Sequence, residues 1–229
     1  KFKLFEENFN QKNFDDPIIK NMWNLMYEFK ISLKIVHDLF DGIRSDIKET
    51  VNFKSKKDLL IYSYRVAGTV GLMMAKILKI DKKSSLKSAI DLGIAMQLTN
   101  ISRDVVEDSK INRFYINKNF EEITSTISLA DTFYENSFYS IKDIPIRFRF
   151  SILVARRVYR KIGYKILSKQ NFENYENSGK IYLSNLEKMI ETILSIFDLI
   201  KLSLINIRED QIKHDHLLIN EEINLDERI

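Results

Sequence analysis

The sequence contains no cysteine and very little glycine or proline. Its 229 residues include 6 Gly and 2 Pro. Without Cys the chain has no disulfide framework, no thiolate metal site and no cysteine nucleophile. Folds rich in sheets or loops need more turn residues than this, so the composition favours long helices.

Long apolar runs are also missing. No segment approaches the roughly 18 to 20 consecutive apolar residues of a membrane span, and no signal peptide is visible. We therefore expect a cytoplasmic protein without a nucleic-acid partner. The net charge of +4 would favour diphosphate substrates or a peripheral contact with the anionic inner face of a membrane. The same charge also fits a background rich in Lys and Asn, and the oligomeric state is not readable.

Apolar residues recur at helical spacing along most of the chain. Pro17 is expected to open a helix, because proline favours the first helical turn. Ser32 is a candidate N-cap for a second helix, and Ser55 for a third that runs to about Ile80. Further helices are predicted over residues 85–106, 121–141, 146–169 and 183–207.

The remaining segments are predicted to be irregular. Residues 1–16 are polar and rich in Asn, the residues from Glu209 onward are charged, and both ends are expected to fray. Residues 109–120 are expected to form a looser connection. Because there is no internal repeat and no linker, one all-helical domain over residues 1–229 is the economical interpretation.

A polar stripe on a strongly apolar predicted helix is the main candidate site. Asn100, Asp104 and Asp108 follow one another at intervals of four residues, and Gln97 precedes them by one turn. Like charges at this spacing destabilise a helix by about 0.2–0.5 kcal/mol, a cost that a bound Mg²⁺ would remove. Arg103 can pair with phosphate. The alternative is a solvated acidic face near a helix end.

Three glycines in helical segments form a second candidate feature. Gly68 and Gly71 lie three residues apart, and Gly93 lies on the next predicted helix. A glycine in a helix interior costs about 1 kcal/mol relative to alanine. Such positions indicate a close approach, either by another helix or by a hydrocarbon chain lying against the helix.

Two sequence patterns occur together and in order. The first runs from Tyr62 to Gly71 as Tyr-x-x-x-Val-Ala-Gly-x-Val-Gly. The second runs from Gly93 to Asp108 as Gly-x-Ala-x-Gln-Leu-Thr-Asn-Ile-x-Arg-Asp-Val-x-x-Asp. In both, the sequence resembles the squalene and phytoene synthase family, and residues 155–163 are similar to its bacterial phytoene synthase branch. The resemblance spans about residues 20 to 190.

The resemblance implies an all-α isoprenoid synthase fold, a helical bundle around a central cavity. In this family two Asp-rich motifs face each other across the mouth of the cavity and bind Mg²⁺, with Mn²⁺ as an alternative. Asp104 and Asp108 match the second motif, and Asn100 is expected to join them as a metal ligand. Arg103 and Tyr62 are expected to act in catalysis with the two aspartates.

Other positions match residues on the substrate side of the family's site. The expected substrate-binding residues are Gln97, Asn100, Arg113, Tyr115, Tyr159, Gly68, Gly71 and Gly93. The implied partners are isoprenoid diphosphates. Two geranylgeranyl diphosphates would condense through prephytoene diphosphate to phytoene, and no NADPH is expected.

Two features depart from the family pattern. The first Asp-rich motif is not found, because Asp15 and Asp16 lack a flanking apolar helix and Asp46 aligns with a later helix. Together with a first residue, Lys1, that is not Met, this predicts that the first helices of the fold are missing and that the chain alone is inactive. Lys180 stands where the family usually has Arg, and it lacks the two-pronged donor of a guanidinium.

Two alternatives stay open from the sequence. One is a squalene or dehydrosqualene synthase that uses farnesyl diphosphate, because the sequence does not fix the depth of the cavity. The other is a non-catalytic relative that serves as an assembly factor for a respiratory complex. Such a protein should have a degraded Asp motif, whereas Asp104 and Asp108 are intact.

Overall fold

Helices account for nearly all regular structure in the computed structural model, which describes residues 1–204 and 214–229. The helices are α1 (Phe2–Asn10), α2 (Pro17–Glu28), α3 (Leu33–Asp46), α4 (Lys56–Ser63), α5 (Thr69–Ile77), α6 (Lys83–Lys110), α7 (Phe120–Phe138), α8 (Ile146–Leu167), α9 (Phe172–Asn177), α10 (Asn185–Leu204) and α11 (His214–Asn220). Two short strands, β1 (Val51–Asn52) and β2 (Arg113–Phe114), pair in parallel. The predicted all-helical class is confirmed.

The predicted helix starts are confirmed by their capping groups. Pro17 occupies the first turn of α2, and the Asp16 carboxylate accepts hydrogen bonds from the backbone at that end. Ser32 caps α3. Ser55 and Asp58 form a reciprocal capping box at the start of α4. Each side chain satisfies backbone N–H groups that have no partner within the helix.

Helix α6 forms the centre of the domain. Its 28 residues span about 40 Å at 1.5 Å per residue. Ile90, Ile94 and Leu98 are fully buried along it, where it packs against α5, α7 and α8. The helix begins two residues before the predicted span and ends four residues after it. The polar stripe therefore lies on the last turns of the central helix, and the predicted loose connection is shorter than expected.

The helix predicted from Ser55 to Ile80 is divided by a π-helical turn. Residues 64–68 have the wider i to i+5 hydrogen-bond pattern, between α4 and α5. Turns of this kind are one-residue insertions that are frequent at functional sites.

The glycines lie where this segment meets α6. A Cβ atom added to Gly71 would collide with the carbonyl oxygen of Ala89, and one added to Gly93 would collide with that of Ala67. A Cβ on Gly68 would also press on side chains at this contact. Of the two alternatives, the geometry favours close helix packing. That these glycines also contact a substrate chain stays a prediction.

The expectation that residues 1–16 fray is wrong. They include α1, and its Phe9 is fully buried. Phe9 stacks on Trp23 with ring centroids 5.2 Å apart and meets Phe40 edge-on. Burial of a large aromatic side chain gives this end a hydrophobic anchor.

The C-terminal residues that the structure describes are also packed rather than frayed. Ile219, Ile223 and Leu225 are buried in the main core. His216 is buried as well and contacts the carboxylate of Asp91 on α6. The rest of the segment predicted to fray, residues 209–213, lies outside the described residues, as do residues 205–207 of the predicted last helix. No helix in the described ranges is both long and apolar enough to span a bilayer.

Candidate active site

Asp104 is held by two cations. The Arg103 guanidinium donates to both of its carboxylate oxygens, over 2.8 and 2.7 Å. Lys180, between α9 and α10, places its ammonium 3.0 Å from one of them. Burial raises the pKa of Asp104, but the hydrogen bonds from Arg103 and Lys180 outweigh it and hold the pKa below its usual value. Asp104 is therefore a fixed negative charge.

Asp108 lies one turn further along α6 and is in a different state. Its carboxylate has no hydrogen bond or ion pair with any residue in the described part of the chain. Burial, followed by the nearby charge of Asp104, raises its pKa to about 6. A cavity of about 10 Å³ adjoins it, lined also by Arg113 and Tyr115. That volume is roughly what one water or small ion needs.

Asn100 adds an unsatisfied acceptor to the same face. Its side-chain oxygen is buried and has no hydrogen-bond partner among the described residues. An unsatisfied buried polar atom costs about 1–3 kcal/mol. Gln97 is partly exposed one turn earlier. The stripe thus leaves an amide oxygen and a carboxylate without partners, and both are ligand types that Mg²⁺ accepts.

The protein supplies only part of a metal coordination shell here. Within residues 1–204 and 214–229, no cluster of three or more His, Cys, Asp or Glu side chains is arranged to hold an ion. Mg²⁺ commonly uses one or two carboxylates and takes its other ligands from water and substrate phosphate. The donor set on α6 fits that mode.

Asp46 is the site residue that sequence reasoning missed. It ends α3, and the hydroxyls of Tyr62 and Tyr115 each donate to its carboxylate over 2.9 Å. The two rings stack with centroids 4.7 Å apart. The charge of Asp46 also contributes to the raised pKa of Asp108. Tyr62 and Tyr115 are thus brought together beside the α6 stripe.

Arg113 is engaged by the backbone. Its guanidinium donates to the carbonyl of Asp46 over 2.6 Å and to those of Glu49 and Ile111 over 3.2 and 3.1 Å. A cation at this place is favourable because the carbonyl end of a helix is negative. The structure gives Arg113 the role of holding the end of α3, and a diphosphate would compete with these bonds.

The segment from α9 to the start of α10 covers the other side of the stripe. The Tyr175 hydroxyl bonds the backbone carbonyls of Ser102 and Arg103 over 3.0 and 2.8 Å. The Tyr182 ring lies 5.9 Å from the Arg103 guanidinium. Tyr159, on α8, is partly buried and close enough to Arg103 to affect its pKa. The structure thus places Tyr159 near Arg103, on the side of the stripe where Tyr175 and Tyr182 also lie, two tyrosines that the sequence did not single out.

Comparison with known proteins identifies relatives of this chain. Residues 3–120 match the family model described as squalene/phytoene synthase. The chain is 35% identical over 147 residues to a 15-cis-phytoene synthase from a Paracoccus species, covering 56% of this chain and 48% of that relative. It is 31% identical over 179 residues to a phytoene synthase from Pseudescherichia vulneris, covering 69% and 58%.

A solved structure shares the fold. A crystal structure of a dehydrosqualene synthase in complex with a ligand has a TM-score of 0.72 and 26% sequence identity, covering 87% of this chain and 78% of that one. The chain spans about half the length of the curated relatives it matches.

Proposed function

Because the chain belongs to the squalene/phytoene synthase family, we propose that it acts in the Mg²⁺-dependent condensation of two geranylgeranyl diphosphates to phytoene. One observation carries the proposal: the end of α6 holds a buried acceptor and a carboxylate without partners, Asn100 and Asp108, beside a fixed Asp104. That arrangement is costly by itself and is relieved by a cation with a phosphate ligand.

The residues have distinct proposed roles. Asp104, Asp108 and Asn100 would hold Mg²⁺, with Mn²⁺ as a substitute, and the ion would neutralise charge on a leaving diphosphate. Arg103 and Lys180 provide positive charge at the same face. Both cations are already paired with Asp104. A bound diphosphate would therefore take over some of their hydrogen bonds from Asp104.

The tyrosine pair is proposed to act as neutral donors. Burial raises the pKa of both Tyr62 and Tyr115, so their hydroxyls stay protonated at physiological pH. Asp46 accepts from both and fixes their orientation. Gln97 and Tyr159 are proposed to contact substrate from α6 and α8.

The reaction proposed from the family has two ionisation steps. One diphosphate and one proton leave as two carbon–carbon bonds form and close the cyclopropane ring of prephytoene diphosphate. The second diphosphate then leaves, the carbon skeleton rearranges, and a second proton is lost to give phytoene. No reductant is needed for this balance. Carbocations of this kind require that water be excluded.

Substrate length is the open part of the proposal. The dehydrosqualene synthase that shares the fold supports a second candidate, condensation of farnesyl diphosphate. Incubating the product of the complete gene with Mg²⁺ and each diphosphate separates the two. We expect phytoene from the C20 substrate, and condensation of the C15 substrate alone would contradict the proposal. That residues 1–229 are inactive by themselves stays a prediction, which the same assay on this chain would test.

A non-catalytic role is the remaining alternative. An assembly factor would have no need for the polar stripe on α6, yet all its members are present. Absence of condensation with either diphosphate would favour that alternative.

A further inference from the structure

Two cations contact Asp104, and Lys180 is the one that comes from outside α6. It lies in the irregular connection of residues 178–184 between α9 and α10. Its ammonium is 3.0 Å from the Oδ1 atom of Asp104. The next residue, Ile181, is buried in the main core. The backbone beside Lys180 is therefore anchored, whichever partner its side chain has.

The carboxylate of Asp104 has little room for a further positive charge. Its Oδ1 atom meets Nε of Arg103 at 2.8 Å and Nζ of Lys180 at 3.0 Å, and its Oδ2 atom meets Nη2 of Arg103 at 2.7 Å. A carboxylate offers about four lone-pair positions, so most of them are taken. A Mg²⁺ ligated by Asp104 would lie about 2 Å from one of these oxygens. Repulsion between like charges at such short range favours the departure of one cation.

Of the two cations, Lys180 is held less firmly. Arg103 donates two parallel hydrogen bonds, and its side chain is 15% exposed. Lys180 makes a single contact with Asp104, and its side chain is 34% exposed. Its flexible stem carries a compact charge that water solvates well, whereas a guanidinium holds a carboxylate with a planar fork. Lys180 can therefore leave Asp104 at the lower cost.

We propose that Lys180 is an exchangeable counter-ion of the metal site: its ammonium neutralises Asp104 while no metal is bound, and it leaves Asp104 when a divalent cation binds there. This rests on the proposed function, because it requires the α6 stripe to bind Mg²⁺. The displaced ammonium stays beside the stripe, where a substrate phosphate can accept its hydrogen bonds. Metal and diphosphate would then each favour the binding of the other.

Chemical labelling of lysine amines tests the exchange without any assay of condensation. The product of the complete gene is acetylated with an activated acetate ester, with and without Mn²⁺, and the labelled peptides are quantified by mass spectrometry. We expect Mn²⁺ to raise the labelling rate of Lys180 by about threefold, as for release from an ion pair of modest strength. The matched control is Lys165, whose side chain is 32% exposed and lies 2.8 Å from Glu187. Its rate should not change.

Mn²⁺ affinity gives an independent measurement. Titration followed by the electron paramagnetic resonance signal of free Mn²⁺ gives the affinity, and the binding lost in Asp108→Asn identifies the α6 stripe. Lys180→Met should bind Mn²⁺ there about three to five times more tightly, which corresponds to about 0.7–1 kcal/mol, because no ammonium has to be displaced. Lys165→Met should bind like the unmodified protein. Circular dichroism checks that each variant is folded.

The outcomes separate this proposal from the proposed function. If Mn²⁺ binds at the stripe but the labelling of Lys180 does not change, the exchange is wrong and the metal site stands. Unchanged or weaker Mn²⁺ binding by Lys180→Met would likewise overturn the exchange alone. If Asp108→Asn loses no Mn²⁺ binding, the metal site itself fails, and the exchange fails with it.

Discussion

Asp104 and Asp108, two aspartates four residues apart on α6, have opposite effects on the stability of the fold. Asp104 accepts from Arg103 and Lys180 and keeps a low pKa, whereas Asp108 has no partner in the described residues and a raised pKa. Identical side chains differ because pairing favours the charged form and burial disfavours it. The charged Asp104 therefore stabilises the fold, whereas the charged form of Asp108 destabilises it.

This difference predicts unequal effects of removing each charge. Asp104→Asn should lower the free energy of unfolding by about 1–3 kcal/mol, because it leaves partly buried cations without a counter-charge. Asp108→Asn should leave that free energy unchanged or raise it, since it removes a desolvated charge that has no partner. Urea denaturation at pH 7.5 measures both. Equal destabilisation by the two variants would contradict the assignment.

At the scale of elements, the contact between the segment around Gly71 and helix α6 sets the position of the stripe. Backbone atoms meet there without intervening side chains. Protein interiors transmit such steric changes because they are closely packed. A methyl group at this contact must therefore move one helix relative to the other.

Gly71→Ala should destabilise the protein by roughly 1–3 kcal/mol, the usual cost of overpacking. Gly163→Ala is the matched control. It lies inside α8, where an added Cβ would meet only a side-chain carbon of Ile127 at 3.2 Å, so helix propensity should offset the contact. Thermal unfolding of both variants gives the comparison. A Gly71→Ala protein as stable as the control would show that the close approach is not required.

Helices α7 and α8 are joined by a pair that titrates in acid. Arg160 donates to both oxygens of Asp131 over 2.6 and 2.8 Å. Burial raises the pKa of Asp131, but the Arg160 bonds outweigh it and the net pKa is lowered. A folded-state pKa below the unfolded value of about 3.9 gives stability that is complete above that pH and is lost as pH falls through the folded value.

In Asp131→Asn, the free energy of unfolding should therefore fall less steeply as the pH drops into the acid range. The variant should be less stable than the unmodified protein at neutral pH, and this difference should shrink between about pH 4 and pH 2. Denaturation at a series of pH values measures it, with Asp15→Asn, an exposed site, as control. A difference that stays constant over that range would contradict the coupling.

The sequence predicted the elements whose signals are local. Pro17, Ser32 and Ser55 mark helix starts by chemistry that acts within one turn, and the α6 stripe follows from spacing alone. The π-helical turn at residues 64–68 was not predicted, because a one-residue insertion leaves no pattern that periodicity reveals. Helix α1 was missed although Phe2, Phe5 and Phe9 have helical spacing, since the polar residues between them dominated the interpretation.

At the scale of the whole molecule, the unpredicted features depend on residues far apart in sequence. Asp46 joins the site only because Tyr62 and Tyr115 fold against it, 16 and 69 residues away. The C-terminal residues pack for a similar reason: Arg228 donates to Asp38 across 190 residues. Contacts of this range leave no trace in local spacing, so local patterns alone predict a solvated tail where these charged residues pack.

Acidic side chains of the C-terminal residues form ion pairs with lysines of the helices they pack against. Glu221, Asp226 and Glu227 pair with lysines of α4, α6 and α3. Exposed pairs of this kind each contribute about 0–1 kcal/mol. The buried Asp38 carboxylate accepts hydrogen bonds from the partly buried Arg228 and from Tyr64, which gives the docking a specific register. The C-terminal segment is therefore held against α3, α4 and α6.

The central claim is that the α6 stripe is a catalytic metal–diphosphate site, and Asp108→Asn tests it most directly. The measurement is phytoene formation from geranylgeranyl diphosphate by the product of the complete gene, with Glu107→Gln as a control for loss of one neighbouring charge. We predict a fall in turnover of at least about a hundredfold for Asp108→Asn, as for other losses of transition-state charge stabilisation, with melting unchanged or raised. Turnover within about threefold of the unmodified enzyme would contradict the claim.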